Sequence, residues 1–438
     1  MKHKAEEFRS DMFWKAIPAW KDVDYRTFIN HLWQEKNAIT SHKKLLKTIQ
    51  DLVDPDFLED AREGFLKAPM ATRITPYLLS LMDWNDPLNC PIRKQFLTLG
   101  SQLQPDHPML RFDSLNEQED SPVKGLTHRY EDKVLFLALD TCPVYCRFCT
   151  RAYAVGTSTP TAEKVSIKAS KERWADMFDY LRKNKKIQDV VISGGDAFRL
   201  KVSQINEICN ELLKIDHIRR FRLATKGLSV LPMKVLTDER WIEAVAYWTD
   251  RARKQYKELC IHTHFNHAGE ITKITHDAMK LLFSKGIKVR NQTVFQNGVN
   301  DTPERMIALV KKLSYMNVQP YYVYVHDLTA GTEDMRTSVK KAMDVEKHVR
   351  GKTAGFNTPL FVVDAPGGGG KRDVHSCEWY DPNTGVSVWE APSVKPGEQF
   401  LYFDPMHSLS PKAQKLWQDE NMRKDMIQWA LEKNYYPF

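Results

Sequence analysis

Hydrophobic and polar positions along the chain change rhythm near residue 133. Before it, stretches such as FINHLWQEKNAI and HKKLLKTIQDLV place apolar residues three and four apart. That is the spacing of one helix face, and it predicts a helical region over residues 1 to about 105. Pro76, Pro87 and Pro91 break this region into short pieces. Residues 106–125 are polar and turn-rich and predict a link to the next unit. From residue 133 onward, short apolar runs alternate with amphipathic stretches. VLFLALD (134–140), DVVISGG (189–195), RRFRLAT (219–225), LCIHTHF (259–265), VRNQTVF (289–295) and YYVYVHD (321–327) predict strands. RWADMFDYLRKN, INEICNELLK, HDAMKLLFSKG and ERMIALVKKLSYM predict helices between them.

Such alternation argues for an α/β fold with a parallel sheet and helices outside it. Right-handed crossovers would curl six units into an open or partial (β/α)6 barrel, with chemistry at the carboxyl ends of its strands. PLFVVDA (359–365) predicts one further strand, running into four glycines. Then HSCEWYD and VSVWEA flank Pro-Asn-Thr-Gly and predict a small hairpin. The expected division is an N-terminal helical region (1–105), a partial barrel (106–345), a segment with Lys371 and the hairpin (346–395), and a helical tail (396–438).

Composition narrows the class. At 438 residues and 42% hydrophobic, the chain has ample material for a core. Its 64 basic and 56 acidic residues leave a charge of +8. That excess is spread along the chain, which describes a mildly basic enzyme better than a nucleic-acid binder. No apolar run approaches 18 residues, so no membrane span is expected. The opening segment has no apolar core of a signal peptide. Seven cysteines, an odd number with three inside eight residues, point to a reducing cytoplasm and a cysteine-ligated site.

Those three are Cys142, Cys146 and Cys149, spaced Cys-x3-Cys-x2-Cys directly after the first barrel strand. Three thiolates in one loop can each bind one iron of a [4Fe-4S] cluster. The fourth iron then lacks a protein ligand and can chelate a small molecule, for which S-adenosylmethionine (SAM) offers an amine and a carboxylate. Zinc is the competing reading, but no second Cys-x2-Cys or His pair follows at zinc-finger distance. Phe148 could pack against an adenine or belong to the core. His262, His264 and His267 could form half a metal site, and nothing else in the sequence completes it.

The second unusual run is Asp364-Ala365-Pro366-Gly367-Gly368-Gly369-Gly370-Lys371. Glycine amides after a buried strand suit a phosphate. A P-loop needs Gly-x4-Gly-Lys-Ser/Thr, and here Ala365 and Arg372 break it twice. The remaining readings are a plain glycine-rich turn or a lysine that takes pyridoxal 5′-phosphate (PLP) as a Schiff base.

The cysteine triad followed one unit later by Ser193-Gly194-Gly195-Asp196 resembles the radical SAM superfamily. With DAPGGGGK, the chain resembles the lysine 2,3-aminomutase family. That resemblance runs from about residue 75 to about 371, through DSPVKGLTHRY, VISGGDA, HTHFNH, NQTVFQNGVND, PYYVYVHDL and FVVDAPGGGGK, in family order and spacing. It implies an isomerase that uses an iron–sulfur cluster, SAM and PLP to move an amino group from Cα to Cβ of an amino acid. It implies that Lys371 binds PLP, that Arg129 contacts PLP at its phosphate, and that Asp327 and Asp364 grip a distal substrate ammonium. It further implies that Arg151 binds the substrate carboxylate. Ser193, Gly194, Gly195 and Asp196 would receive the SAM amino group, with His264 and Gln292 near its methionyl part. An electron donor such as flavodoxin or ferredoxin and a homo-oligomer are likewise implied. The substrate implied is L-lysine, the alternatives being arginine, ornithine or a peptide-tethered lysine. A zinc-containing nucleic-acid-binding protein is the reading from another class.

The sequence departs from the family pattern in four places. Thr150-Arg151-Ala152-Tyr153-Ala154-Val155-Gly156 replaces an arginine-rich stretch, and Lys133 and Lys226 stand where arginines are common. His326 stands in place of a cysteine, and Cys377 is the one cysteine beyond residue 371. A C-terminal zinc cluster is therefore not expected.

Overall fold

Seven neighbouring parallel strands wrap into a nearly closed barrel in the computed structural model, which describes residues 6–434. In chain order the central sheet contains β1 (Leu126–Tyr130), β2 (Lys133–Leu139), β3 (Asp189–Gly194), β4 (Arg220–Ala224) and β5 (Glu258–Thr263). It continues with β6 (Val289–Phe295), β7 (Val318–Val325), β8 (Leu360–Ala365) and β9 (Gly370–Asp373). Spatial order equals chain order from β1 to β9. The parallel strands are β2 to β8, with β1 and β9 antiparallel at the two edges. The expected strands are all present, and PLFVVDA adds the seventh to the parallel set.

Helices cover the outside, as the alternation requires. Lys171–Lys183 begins at Ser170, whose side chain accepts from the Arg173 amide, and buries Trp174, Met177, Phe178 and Leu181. Each such side chain contributes roughly 1.5–3 kcal/mol on burial. Thr272, Thr302 and Ser338 cap later outer helices in the same way.

Two edge strands were not foreseen. LTHRY lies just beyond the polar link yet pairs with β2, and Lys371 lies on a strand and not in a loop. The segment expected to be a helical tail also begins with a strand. β12 (Gln399–Phe403) joins β10 (Trp379–Asp381) and β11 (Val386–Glu390) in a separate antiparallel sheet, because its alternating inward residues Phe400 and Tyr402 are buried. Helices Pro411–Gln418 and Glu420–Asn434 follow it. Among the described residues no helix is long and apolar enough to cross a membrane.

The N-terminal region is made of short helices, and its prolines start them as much as they interrupt them. Pro76 and Pro91 occupy first-turn positions of Pro76–Ser80 and Pro91–Phe96, where a missing N–H costs nothing. This region grips the barrel through a buried polar hub. Glu270 is fully buried; its Oε1 accepts from Gln95 Nε2 at 2.9 Å and from the His267 amide at 3.1 Å. Its Oε2 lies 3.2 Å from Lys226 Nζ, which also donates to the His264 carbonyl at 2.9 Å. Lys226 is thus locked into the frame and offers no free cation to a ligand.

Removing Glu270 would strand the buried Lys226 ammonium. Glu270→Ala should lower the unfolding free energy by about 3–5 kcal/mol, read as a shifted urea midpoint. An unmoved midpoint would contradict the hub.

Candidate active site

A cavity of about 300 Å³ lies inside the barrel at the carboxyl ends of the strands. The loop leaving β2 carries Cys142, Cys146 and Cys149, all lining it, and none is in a disulfide. The N-terminal region pins this loop. The Tyr145 amide donates to the Arg73 carbonyl at 3.0 Å, and the Arg147 amide to the Gln95 carbonyl at 2.9 Å. Burial pushes all three thiols up, and neighbouring sulfurs add to the rise at Cys142 and Cys146. A cationic iron–sulfur cluster removes that penalty by drawing the thiolate form, so the donor set fits one. Among the described residues no three His, Cys, Asp or Glu side chains converge on one point as ligands of a single ion would. This holds for the three thiols and for His262, His264 and His267.

The glycines after β3 serve the cysteine loop directly. Gly194 has φ +111°, and a Cβ there would drive into the Leu139 carbonyl oxygen. A Cβ on Gly195 would strike the Thr141 backbone. Both absences let the Gly195 amide reach the Leu139 carbonyl at 2.5 Å and the Asp196 amide the Thr141 carbonyl at 3.0 Å. Ser193, Gly195 and Asp196 line the cavity, and Gly194 is not part of its lining. The Asp196 carboxylate is already engaged, accepting from the Phe198 and Lys226 amides at 2.8 Å each. Phe148 and His264 stand 5.4 Å apart, ring to ring, on the cavity wall. Burial pushes His264 down to about 3, so it is neutral, and its Nε2 meets Asn266 Oδ1 at 3.0 Å. Gln292 on β6 completes this side.

At the other side of the cavity β9 returns antiparallel on β8, with Asp364 in register with Lys371. Lys371 Nζ donates to Asp364 Oδ2 at 3.0 Å. Burial opposes both charges, but each holds the other ionised: Lys371 is raised well above an ordinary amine and Asp364 lowered. Pro366 and the first three glycines form the turn of this hairpin, and Gly370 opens β9 opposite Ala365. The Gly369 amide is used by the Ala365 carbonyl and the Gly367 amide by the Ser114 carbonyl, both at 3.1 Å. The expectation of amides free to cradle a phosphate is corrected for these two.

Rings flank the lysine. Tyr130 and Tyr324 have centroids 5.6 and 5.4 Å from Lys371 Nζ, and Lys133 Nζ sits 3.8 Å over the Tyr130 ring. An amine, aromatic walls and a second cation fit the aldehyde, ring and phosphate of PLP. Lys133 is pushed down to about 7 by burial and by the charge of Lys371.

Pairing the charges on the wall leaves Lys133 and Asp327 over, besides Asp196, whose carboxylate is held by backbone amides. Lys371 has Asp364. Arg129 has Asp120 at 2.8 Å and, more distantly, Asp364 at 3.9 Å, and it donates to the Leu115 carbonyl. Arg151 Nη2 has Glu117 at 2.7 Å. Among the described residues Lys133 has no ion pair, and neither has Asp327. Asp327 Oδ2 accepts from Thr150 Oγ1 at 2.5 Å, while its Oδ1 is buried without a partner. Burial, then the charge of Asp364, pushes Asp327 up to about 7.

All the expected site residues except Gly194 therefore line one cavity. Arg129 differs from expectation in being largely neutralised, which leaves Lys133 as the uncommitted cation. Glu117 and Thr150 were not foreseen. Glu117 lies in a stretch that reads as a linker, and its one signal is Asp113, four residues earlier, which accepts from its amide. His326 turns inward, with Nδ1 on the Asp327 carbonyl at 2.9 Å. Tyr402 donates to the His326 carbonyl at 2.8 Å, so the small sheet braces the end of β7.

Comparison with known proteins finds one enzyme family. The family model described as Lysine-2,3-aminomutase matches residues 346–378, which contain β8, the glycine turn and β9. The L-lysine 2,3-aminomutase of Clostridium subterminale is 38% identical over 356 residues, covering 81% of this chain and 80% of that one. The L-lysine 2,3-aminomutase of Bacillus subtilis (strain 168) is 35% identical over 370 residues, covering 84% and 73%. The glutamate 2,3-aminomutase of Clostridioides difficile (strain 630) is 32% identical over 343 residues, covering 78% and 75%.

Gly194→Ala combines a strained backbone with a backbone collision. It should cost roughly 2–4 kcal/mol of stability in a denaturation curve and lower iron content after reconstitution. Wild-type stability in this variant would refute the steric account.

Proposed function

The chain belongs to the lysine 2,3-aminomutase family of radical SAM enzymes, and on that premise we propose that it moves the α-amino group of L-lysine to Cβ, giving β-lysine. Membership makes it an amino-acid 2,3-aminomutase, an isomerase. The choice of lysine rests on one observation: a buried carboxylate oxygen, Asp327 Oδ1, has no partner in the cavity that holds Lys371. An unpaired buried acid asks for a cation, and the lysine side chain ends in one. Asp364 supplies a second acid beside it. A glutamate substrate would set a third carboxylate against these two, which disfavours it.

In this reading Cys142, Cys146 and Cys149 hold the cluster. Ser193, Gly195, Phe148, His264 and Gln292 would line the SAM site, and Lys371 would hold PLP, with Lys133 and Arg129 as the cations available to its phosphate. When bound, the cluster and SAM supply a carbon radical, and PLP supplies the conjugated system over which nitrogen migrates. The chain's own part is electrostatic and positional. Asp364 Oδ2, 3.0 Å from Lys371 Nζ, balances that ammonium while the lysine is free and stays a carboxylate toward the substrate cation. Asp327, held by Thr150, takes the substrate's distal ammonium, and Arg151 takes its carboxylate through paired N–H donors. Burial of these groups keeps water from the reacting carbon atoms and strengthens each ionic contact. A flavodoxin or ferredoxin supplies the electron.

Anaerobic reconstitution with iron, sulfide, PLP, SAM and a reductant tests the reading. Offered lysine, arginine, ornithine and glutamate, the enzyme should convert lysine, seen as β-lysine by mass spectrometry. Turnover of arginine with none of lysine would overturn the substrate assignment. Lys371→Ala should keep the brown cluster absorbance and lose the PLP band.

Asp327 also gives a pH signature. Its proton leaves near pH 7, and only the charged form attracts an ammonium. The lysine KM should therefore fall roughly tenfold from pH 6 to pH 8. Asp327→Asn should raise KM and flatten that slope; a slope kept in the variant would exclude Asp327 as its source.

A further inference from the structure

Glu117 is a buried acid on the cavity wall to which the reading above gives no task. Its side chain is 5% exposed, and its position is fixed on both sides. From the backbone, Asp113 Oδ1 accepts from the Glu117 amide at 2.9 Å, and the Glu117 carbonyl accepts from Ser121 Oγ at 2.8 Å. At the carboxylate, Oε1 meets Arg151 Nη2 at 2.7 Å and Oε2 accepts from Tyr153 Oη at 3.0 Å. Tyr153 reaches it from behind the wall, out of a small apolar cluster with Leu137, Ala154 and Ile167. Arg151, by contrast, lines the cavity, and its Nε is buried with no partner.

A guanidinium has five N–H donors in a rigid fork. Glu117 is bonded to one nitrogen, and the fixed fork then sets where the others point. We propose that Glu117, braced by Tyr153, is the positioning residue that holds Arg151 with its Nε edge presented to the α-carboxylate of the substrate. The inference rests on the reading of Arg151 as the carboxylate receptor. Glu117 also offsets the cost of burying that cation while the site awaits its substrate.

The test compares lysine with lysinamide, which lacks the carboxylate, on the reconstituted holoenzyme. Glu117→Gln should raise the lysine KM about tenfold and change kcat less than threefold. The lysinamide KM should stay within twofold, so the preference for lysine collapses. Tyr153→Phe, which keeps the ion pair, should show the same pattern at smaller size. Arg151→Gln should erase the preference by itself, and adding Glu117→Gln to it should change KM by less than twofold, because the two act through one contact. Iron content and the PLP band, unchanged, would show that the variants fold and load. If Arg151→Gln leaves the lysine preference intact, the carboxylate-receptor reading fails and this inference with it. If Arg151→Gln erases the preference but Glu117→Gln does not raise the lysine KM, or raises it equally without Arg151, the positioning role alone is overturned.

Discussion

A buried ammonium facing a buried carboxylate, Lys371 against Asp364, sets the terms for the rest of the site. Neither charge is tolerable alone in that environment, and each makes the other possible. The pairing depends on β9 folding back on β8 in one register, since a slip of one residue would turn Lys371 to the opposite face. The glycine run makes that return tight enough, and Tyr130, on the far edge strand, closes on the Lys371 amide at 2.9 Å. The two edge strands of the barrel thus meet at the lysine.

The remaining architecture holds loops in place around this pair. The N-terminal region packs its helices into the same core as the barrel, through residues such as Trp14, Phe28, Leu45 and Tyr77. Its carbonyls at Arg73 and Gln95 fix the cysteine loop, and the Gln95 side chain reaches the Glu270 hub that neutralises Lys226. The small C-terminal sheet acts at the opposite end, through Tyr402 on the strand that leads to Asp327. Cysteine loop and distal acid are therefore each braced by a segment outside the barrel. Thr150, one residue past Cys149, bonds Asp327 and joins the two braced parts.

Much of this was legible in the sequence because the signals were local. Strand-to-helix alternation, the cysteine spacing and the glycine–lysine run are each patterns among near neighbours in the chain. What the sequence hid were contacts between distant segments. Asp120 neutralises Arg129 and Glu117 engages Arg151, and both acids come from a stretch whose polarity reads as linker. The purpose of Gly194 and Gly195 was also hidden. They read as room for a ligand, yet the first constraint on them is the backbone of Leu139 and Thr141. The glycine run before Lys371 suggests freedom, and the hairpin that it turns removes it.

That hairpin bears on how the site can work through a cycle of covalent exchange. A lysine on a flexible loop could withdraw its whole backbone when another amine takes its place. Lys371 has no such retreat, since its amide and its neighbours are held by a strand ladder and by Tyr130. Motion is left to the χ torsions of one side chain, swinging between Asp364 and the aromatic walls. On the role proposed for Lys371, the side chain would then leave and return by torsional rotation, with no segment of the barrel opening to allow it.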